Sequence, residues 1–234
     1  FIEKPFDLEE LEYKVADAIG RHAPIGSGGS PLDGLVGSSP QMLEVADIVR
    51  RVAESNLPVL VTGEAGTGKL LLAQKLHELG PRSDKALVIF DCASAGAHGP
   101  EAALFGWEKG AFSGAAKREP GAIEKAHGGC VVLRHIDALS ASAQARLVRF
   151  LQEKRFEREG GSSSVETDTR VMALTSRDLR ALADEGAFRQ DLFYKLSPVT
   201  ISLPPLRERH EDVNALAAHF LAAACRSHGR KVAF

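Results

Sequence analysis

Several things that this chain lacks narrow its chemistry before any motif is read. It has only three cysteines, Cys92, Cys130 and Cys225, odd in number, far apart and never in Cys-x-x-Cys spacing. Neither a disulfide framework nor a thiolate metal site is expected, and each reads as a small buried or half-buried side chain. No apolar run approaches the roughly 18 residues that cross a bilayer, so no membrane contact is expected. The start, Phe1-Ile2-Glu3-Lys4, lacks the basic-then-apolar order of a signal peptide, and the expected location is the cytoplasm. There is no excess of one charge either: 29 Lys and Arg against 31 Asp and Glu leave a net charge of -2. No global basic field draws this chain to DNA, and any nucleic-acid contact must come from elsewhere.

What is present is the composition of a folded domain, 44% apolar and 26% charged over 234 residues, enough to bury a full core. Residues 1–20 join Lys4-Pro5-Phe6 to Leu8, Leu11, Val15, Ala18 and Ile19 at helical spacing, a segment too short to fold alone. Residues 21–32 read as a linker rich in Gly, Ser and Pro, 33–206 as the main α/β domain and 207–234 as the start of a further helical part. Ser38-Ser39-Pro40 is a cap with proline at the first helical position, opening a helix through about Glu54. Five apolar runs, at 59–61, 87–90, 131–133, 171–174 and 199–203, alternate with helical stretches and read as buried strands of a mainly parallel five-stranded sheet between helices. Residues 156–165 read as a hairpin with a Gly/Ser tip, and 211 to about 227 as an amphipathic helix.

The strongest motif follows the first run: Gly63-Glu64-Ala65-Gly66-Thr67-Gly68-Lys69, leading into a helix that carries Leu72, Ala73, Leu76 and Leu79. Glycines let the backbone curl so that successive N–H groups face one anion, the helix start adds its positive end, and Lys69 supplies a mobile cation. That is a nucleotide-phosphate loop for ATP or ADP. The competing reading is a glycine turn that merely caps a helix. The next position, where a Ser or Thr hydroxyl often holds Mg²⁺, is Leu70, which cannot coordinate a metal.

Further motifs form an ordered set. Residues 104–115 read Leu-Phe-Gly-Trp-Glu-Lys-Gly-Ala-Phe-Ser-Gly-Ala, followed by Gly128-Gly129, Leu151-Gln152-Glu153, Phe156-Glu157-Arg158, Phe188-Arg189-Gln190-Asp191-Leu192 and Leu203-Pro204-Pro205-Leu206-Arg207-Glu208-Arg209. From about Leu35 to His228 the chain resembles the AAA+ domain of NtrC-type sigma-54 transcriptional activators, bacterial enhancer-binding proteins. The resemblance implies a P-loop NTPase fold with the start of a helical lid, assembly into a homo-oligomer (ring or dimer), and sigma-54 RNA polymerase as partner. It places Leu35 and Val36 beside the nucleotide, and makes Gly110, Ala111, Phe112, Ser113, Gly114 and Ala115 the sigma-54 contact loop, Ser113 standing for the usual Thr. Phe112 becomes the loop's apolar tip and Gly110 and Gly114 its hinges. Read alone, Phe112 is either an exposed contact or a loop anchor. Residues 1–20 resemble the last strand and helix of a response-regulator receiver, and Phe234 falls before the family's second sensor arginine and its DNA-binding helix-turn-helix. Leu70 is partly ordinary here, because the family commonly has Glu at that position.

On the same resemblance Arg134 and His135 stand where the metal-holding Asp and the water-orienting Glu of the Walker B strand belong. Guanidinium for carboxylate changes the local charge by two units, each worth ~4 kcal/mol at ~4 Å and an effective dielectric of ~20. No metal ligand is assigned, and Mg²⁺ is doubtful. Arginine is nonetheless a good phosphate ligand, so Arg134 replaces the metal electrostatically or leaves a resting site. The family's switch Asn corresponds to Asp91. An Asp91···His135 hydrogen bond is chemically sensible, either as a structural pair or with Asp91 orienting His135 as a weak base. The sensor position holds Ser176, and of the two arginines that reach a neighbouring subunit, Arg189 is kept while the other is Lys195, which lacks the planar fork.

Three functions are then open. The chain is a regulator that binds ATP but hydrolyses it poorly, an active ATPase with a metal site rewired through Glu64, Asp91 or Asp137, or a scaffold indifferent to nucleotide.

Overall fold

The computed structural model describes residues 35–94 and 99–229. The expected receiver-like segment 1–20 and the linker 21–32 lie outside the described residues. Among the described residues nine strands run in chain order: β1 Val59–Thr62, β2 Leu87–Asp91, β3 Gly106–Trp107, β4 Glu119–Pro120, β5 Cys130–Arg134, β6 Arg155–Glu157, β7 Ser164–Glu166, β8 Arg170–Thr175 and β9 Val199–Ser202. All five expected core runs form strands, and they pair in parallel in the order β2-β5-β8-β1-β9. Each crossover passes through helix, as a parallel pairing of this kind requires.

Only the inner strands are buried as expected. Every residue of β8 is buried, as is all of β5 up to Arg134, whereas β2 and β9 are partly exposed, with Ile89 at 43%. The cause is position: β2 and β9 are the two edges of the sheet, and an edge strand has one flank without a neighbour. Apolar runs alone do not distinguish an edge strand from a central one.

The chain divides into two compact units, one of residues 47–203 and a smaller one that contains, of the described residues, 35–46 and 204–229. The larger holds the whole sheet. Its core includes Phe105, Phe150 and Phe156, whose rings contact at centroid distances of 5.8 and 5.9 Å in tilted and edge-on geometry. The helix Ala141–Glu153 supplies Phe150; Ser140 caps its start by accepting the Ala143 N–H at 3.1 Å, and left-handed Lys154 ends it. Phe156 lies in the expected hairpin, where β6 and β7 pair antiparallel with Phe156 opposite Val165.

One buried charge orders the base of the sheet. Arg170, at the start of β8 and 3% exposed, donates to the carbonyls of Val52 and Ala53 at 2.9 Å each and of Leu57 at 3.2 Å. Val52 and Ala53 end the helix Pro40–Ala53, where the last carbonyls lack intrahelical donors; that of Val52 also accepts from the Ser55 N–H and hydroxyl at 3.0 Å each. Burial lowers the Arg170 pKa, but a guanidinium stays charged at any ordinary pH.

In the smaller unit Asp212 is fully buried and accepts three bonds: the N–H groups of Ser38 (2.6 Å) and Ser39 (2.9 Å) and the Ser39 hydroxyl (2.7 Å). Pro40 is the first helical residue, as expected. The last helix, expected from 211, runs over Val213–His228 and is preceded by a 3₁₀ turn at His210–Asp212. The shift follows from Asp212, whose side chain serves Ser38 and Ser39 and makes no capping bond to the helix after it.

Candidate functional site

The C-terminal ends of β1, β5 and β8 surround a cavity of about 340 Å³. One wall is the loop after β1 and the helix Lys69–Glu78, through Ala65, Gly66, Gly68, Lys69, Leu70 and Leu71. The opposite wall is Arg134 and His135 at the end of β5, with Leu174, Thr175 and Ser176 at the end of β8. Open parallel sheets place ligand sites at this end of their strands.

The loop's shape is dictated by its glycines, most severely at Gly63. Its φ of 146° disfavours any side chain, and a Cβ there would lie 2.8 Å from the Leu203 carbonyl oxygen and 2.9 Å from Thr67 Oγ1. Thr67 closes the turn by donating from its backbone N–H (3.3 Å) and hydroxyl (2.8 Å) to the Glu64 carbonyl. Gly68, left-handed at φ 101°, delivers the chain to the helix start, which carries no side-chain cap. Its first N–H groups are therefore left to an anion. Lys69 Nζ donates to the carbonyls of Gly63 (2.6 Å) and Glu64 (2.7 Å), and partial burial lowers its pKa.

The facing wall carries the two residues that break the expected pattern. Asp91 ends β2 in register with Arg134 of β5. Its Oδ1 accepts from His135 Nδ1 at 2.8 Å and from the Ala93 N–H at 3.1 Å, and its Oδ2 lies 3.9 Å from the Arg134 guanidinium. The His135 hydrogen bond, with help from the Ala93 N–H and the nearby Arg134 guanidinium, holds the Asp91 carboxyl below the usual carboxylate range against the effect of burial. His135 sits in the left-handed region at φ 50°, ψ 49°, immediately before the 3₁₀ turn Ile136–Ala138. For a residue with a Cβ that conformation costs roughly 1–2 kcal/mol, and the Asp91 bond offsets part of it. The structure thus supplies the Asp91···His135 contact that the sequence only allowed.

Thr175 is the residue that sequence reading passed over. Its hydroxyl, 1% of the residue being exposed, donates to Asp137 Oδ1 at 2.6 Å and accepts the Arg177 N–H at 3.0 Å, fixing the turn that carries Ser176 into the cavity. A hydroxyl ending an otherwise apolar strand was the available signal. Cys92, one residue beyond β2, is buried with its thiol pushed up to about 12 by burial, and the charges of Asp91 and Asp137 add to that.

A Mg²⁺ ion does not fit this donor set. Leu70 and Arg134 occupy positions of two expected ligands, and no carboxylate is among the residues lining the cavity. The carboxylates considered for a rewired site do not assemble: Asp91 is engaged by His135, Asp137 by Thr175, and Glu64 is exposed. Among the described residues no group of three or more His, Cys, Asp or Glu is arranged to hold a metal.

Other expected site residues lie apart. Arg189 does not line the cavity; its guanidinium grips both oxygens of Asp191 (3.0 and 2.7 Å) on the surface. Lys195 is exposed on the helix Gln190–Leu196. Leu35 and Val36 belong to the smaller unit, where Leu35 is buried.

The loop at 110–115 follows β3 and is stitched by Gly110 N–H to the Ala115 carbonyl (2.9 Å) and Ala115 N–H to the Phe112 carbonyl (3.0 Å). Gly110 and Gly114 adopt φ of 85° and 105°. Phe112 is half-buried with its ring 5.5 Å from that of Trp107, while Ser113 and Gly114 are exposed. Below the loop, Arg158 is 7% exposed and binds Glu124 with two nitrogens (2.9 and 2.7 Å) and Glu108 with a third (2.7 Å).

Comparison with known proteins agrees with this architecture. The family model described as sigma-54 interaction domain matches residues 35–202. The DNA-binding transcriptional regulator NtrC of Azospirillum brasilense is 43% identical over 229 residues, which cover 94% of this chain and 47% of that protein. The nitrogen fixation protein AnfA of Azotobacter vinelandii is 43% identical over 198 residues, 85% of this chain and 37% of that one. The crystal structure of NtrX from Brucella abortus in complex with ATP is similar with a TM-score of 0.78 and 31% identity, over 99% of this chain and 50% of that chain. The chain therefore spans half or less of the length of these relatives.

Proposed function

This chain belongs to the sigma-54 interaction domain family, and on that premise we propose that it is part of a two-component-type transcriptional regulator that binds ATP or ADP through residues 63–69 and hydrolyses ATP slowly or not at all. One observation carries the second half of this reading. The end of β5 brings Arg134 and His135 to the phosphate cavity where hydrolysis requires carboxylates. Binding needs the loop, the helix start and Lys69; cleavage also needs a positioned water and stabilised charge on the leaving phosphate.

In this reading residues 110–115 meet sigma-54 RNA polymerase, and self-association brings Arg189 and Lys195 of one copy toward the next copy's nucleotide. The net charge of -2 gives this stretch no field for DNA, so promoter contact falls to other parts of the protein. Among the described residues no helix is long and apolar enough to cross a membrane. Work on RNA polymerase places the protein in the cytoplasm.

The test is to measure nucleotide binding and steady-state phosphate release separately, for the chain and for an Arg134→Asp/His135→Glu double variant. Micromolar nucleotide binding with negligible turnover, and turnover raised at least tenfold in the variant, is the expected result. Robust turnover by the unaltered chain would overturn the poor-hydrolysis reading, and the absence of any nucleotide binding would leave the loop an architectural turn.

A further inference from the structure

We propose that this site takes its nucleotide as the metal-free anion, with Arg134 supplying the positive charge that a divalent cation supplies in other phosphate-loop proteins. The inference rests on the reading that residues 63–69 bind nucleotide, and it changes the chemical species that is bound. The chain then responds to free ATP or ADP and discriminates against the magnesium complex.

Three features of the cavity carry this. The first is its charge: the basic side chains of Lys69 and Arg134 both line it, and no carboxylate does. A site of that composition attracts a polyphosphate and repels a dication.

The second is the availability of the guanidinium. Arg134 keeps 41% of its side chain exposed, and its ion pair with Asp91 is long, at 3.9 Å. The shorter bonds of Asp91, to His135 and the Ala93 N–H, are both made by Oδ1, and Oδ2 comes no closer than 3.9 Å to the guanidinium. At that distance Asp91 makes no hydrogen bond to the arginine, which can turn to a ligand. Guanidinium is planar and permanently charged, and it binds phosphate oxygens in pairs without first stripping water from a metal.

The third feature is Leu70 at the cavity wall, in place of a side chain that would share a metal. An apolar group there excludes water and strengthens the pull of the two cations on an anion. Each change alone would weaken a metal-dependent site. Combined, they replace one cationic centre by another at the same end of the sheet.

The experiment is equilibrium binding of ATP and ADP carrying a fluorescent ribose label to the 234-residue chain at about 150 mM salt, in excess EDTA and in excess Mg²⁺. The expected result is a Kd in EDTA about three- to tenfold tighter than in Mg²⁺, and equal values would overturn the discrimination against the magnesium complex. Arg134→Gln should weaken binding in EDTA by at least tenfold, and Arg134→Lys by less, with melting curves confirming that both are folded. Binding by the unaltered chain that needs Mg²⁺ would overturn the inference while leaving nucleotide binding intact. An Arg134→Gln affinity unchanged in EDTA would overturn the role of Arg134, and failure to bind under either condition would overturn this inference together with the reading beneath it.

Discussion

His135 Nδ1 and Asp91 Oδ1 are 2.8 Å apart, joining the ends of two adjacent parallel strands through side chains where the backbone ladder stops. Both short bonds of Asp91, from His135 and the Ala93 N–H, fall on Oδ1, and Oδ2 stays 3.9 Å from Arg134.

The acid limb of stability should report that pair. A depressed Asp91 pKa stabilises the fold above the unfolded value of ~3.9, and that contribution is lost as pH falls through the lower folded value. Asp91→Asn should therefore destabilise the chain by about 1 kcal/mol at pH 7, with the difference shrinking below about pH 4. Thermal melts of both proteins across pH 3–7 check it, and a constant gap over that range would contradict it.

The phosphate loop should tolerate alanine unequally. Gly63→Ala meets backbone as well as an unfavourable φ and should cost about 2–4 kcal/mol, with loss of nucleotide binding. A Cβ at Gly66 meets nothing within 4 Å, so Gly66→Ala should cost only about 1 kcal/mol, from its φ of 82°. Urea denaturation of the two variants separates space from conformation.

Removing Arg170 should be among the most destabilising single changes. Arg170→Met takes this donor from the Ala53 and Leu57 carbonyls, and one of three from that of Val52, and should cost about 2–5 kcal/mol. Hydrogen exchange should show the end of the helix Pro40–Ala53 opening first.

Trp107 is the only tryptophan, which makes the 110–115 loop directly observable. Phe112→Ala removes a ring 5.5 Å from the indole and should red-shift its emission, with a stability loss near 1 kcal/mol. If Phe112 also meets sigma-54, the same variant should lose that binding by at least tenfold in a pull-down.

Thiol chemistry should be confined to one position. With its thiol pushed up to about 12 and its side chain buried, Cys92 should resist a thiol reagent at pH 8, as should buried Cys130, while Cys225 reacts. Mass spectrometry after a short labelling pulse reads this directly.

Much of the sheet was legible because short apolar runs alternate with helical stretches in a βαβ pattern, and the loop because Gly63, Gly68 and Lys69 stand in the right strand-to-helix context. The exposed faces of β2 and β9 were not legible, since strand order is a long-range property absent from local periodicity. Thr175 was missed for a similar reason: its value depends on Asp137, 38 positions away. The start of the last helix was misplaced by two residues, at a point where Asp212 is held by Ser38 and Ser39, some 173 positions away.

Arg158 has a consequence for how the two surface excursions behave. Glu108 at the stem of the 110–115 loop is bonded to Arg158 and, through its backbone N–H, to the Glu159 carbonyl, and a Cβ on Gly160 would collide with Ala111. The β6–β7 hairpin is thus the back wall of the loop. Lengthening or trimming the hairpin would therefore disturb the packing behind Phe112 without any change to the loop's own sequence.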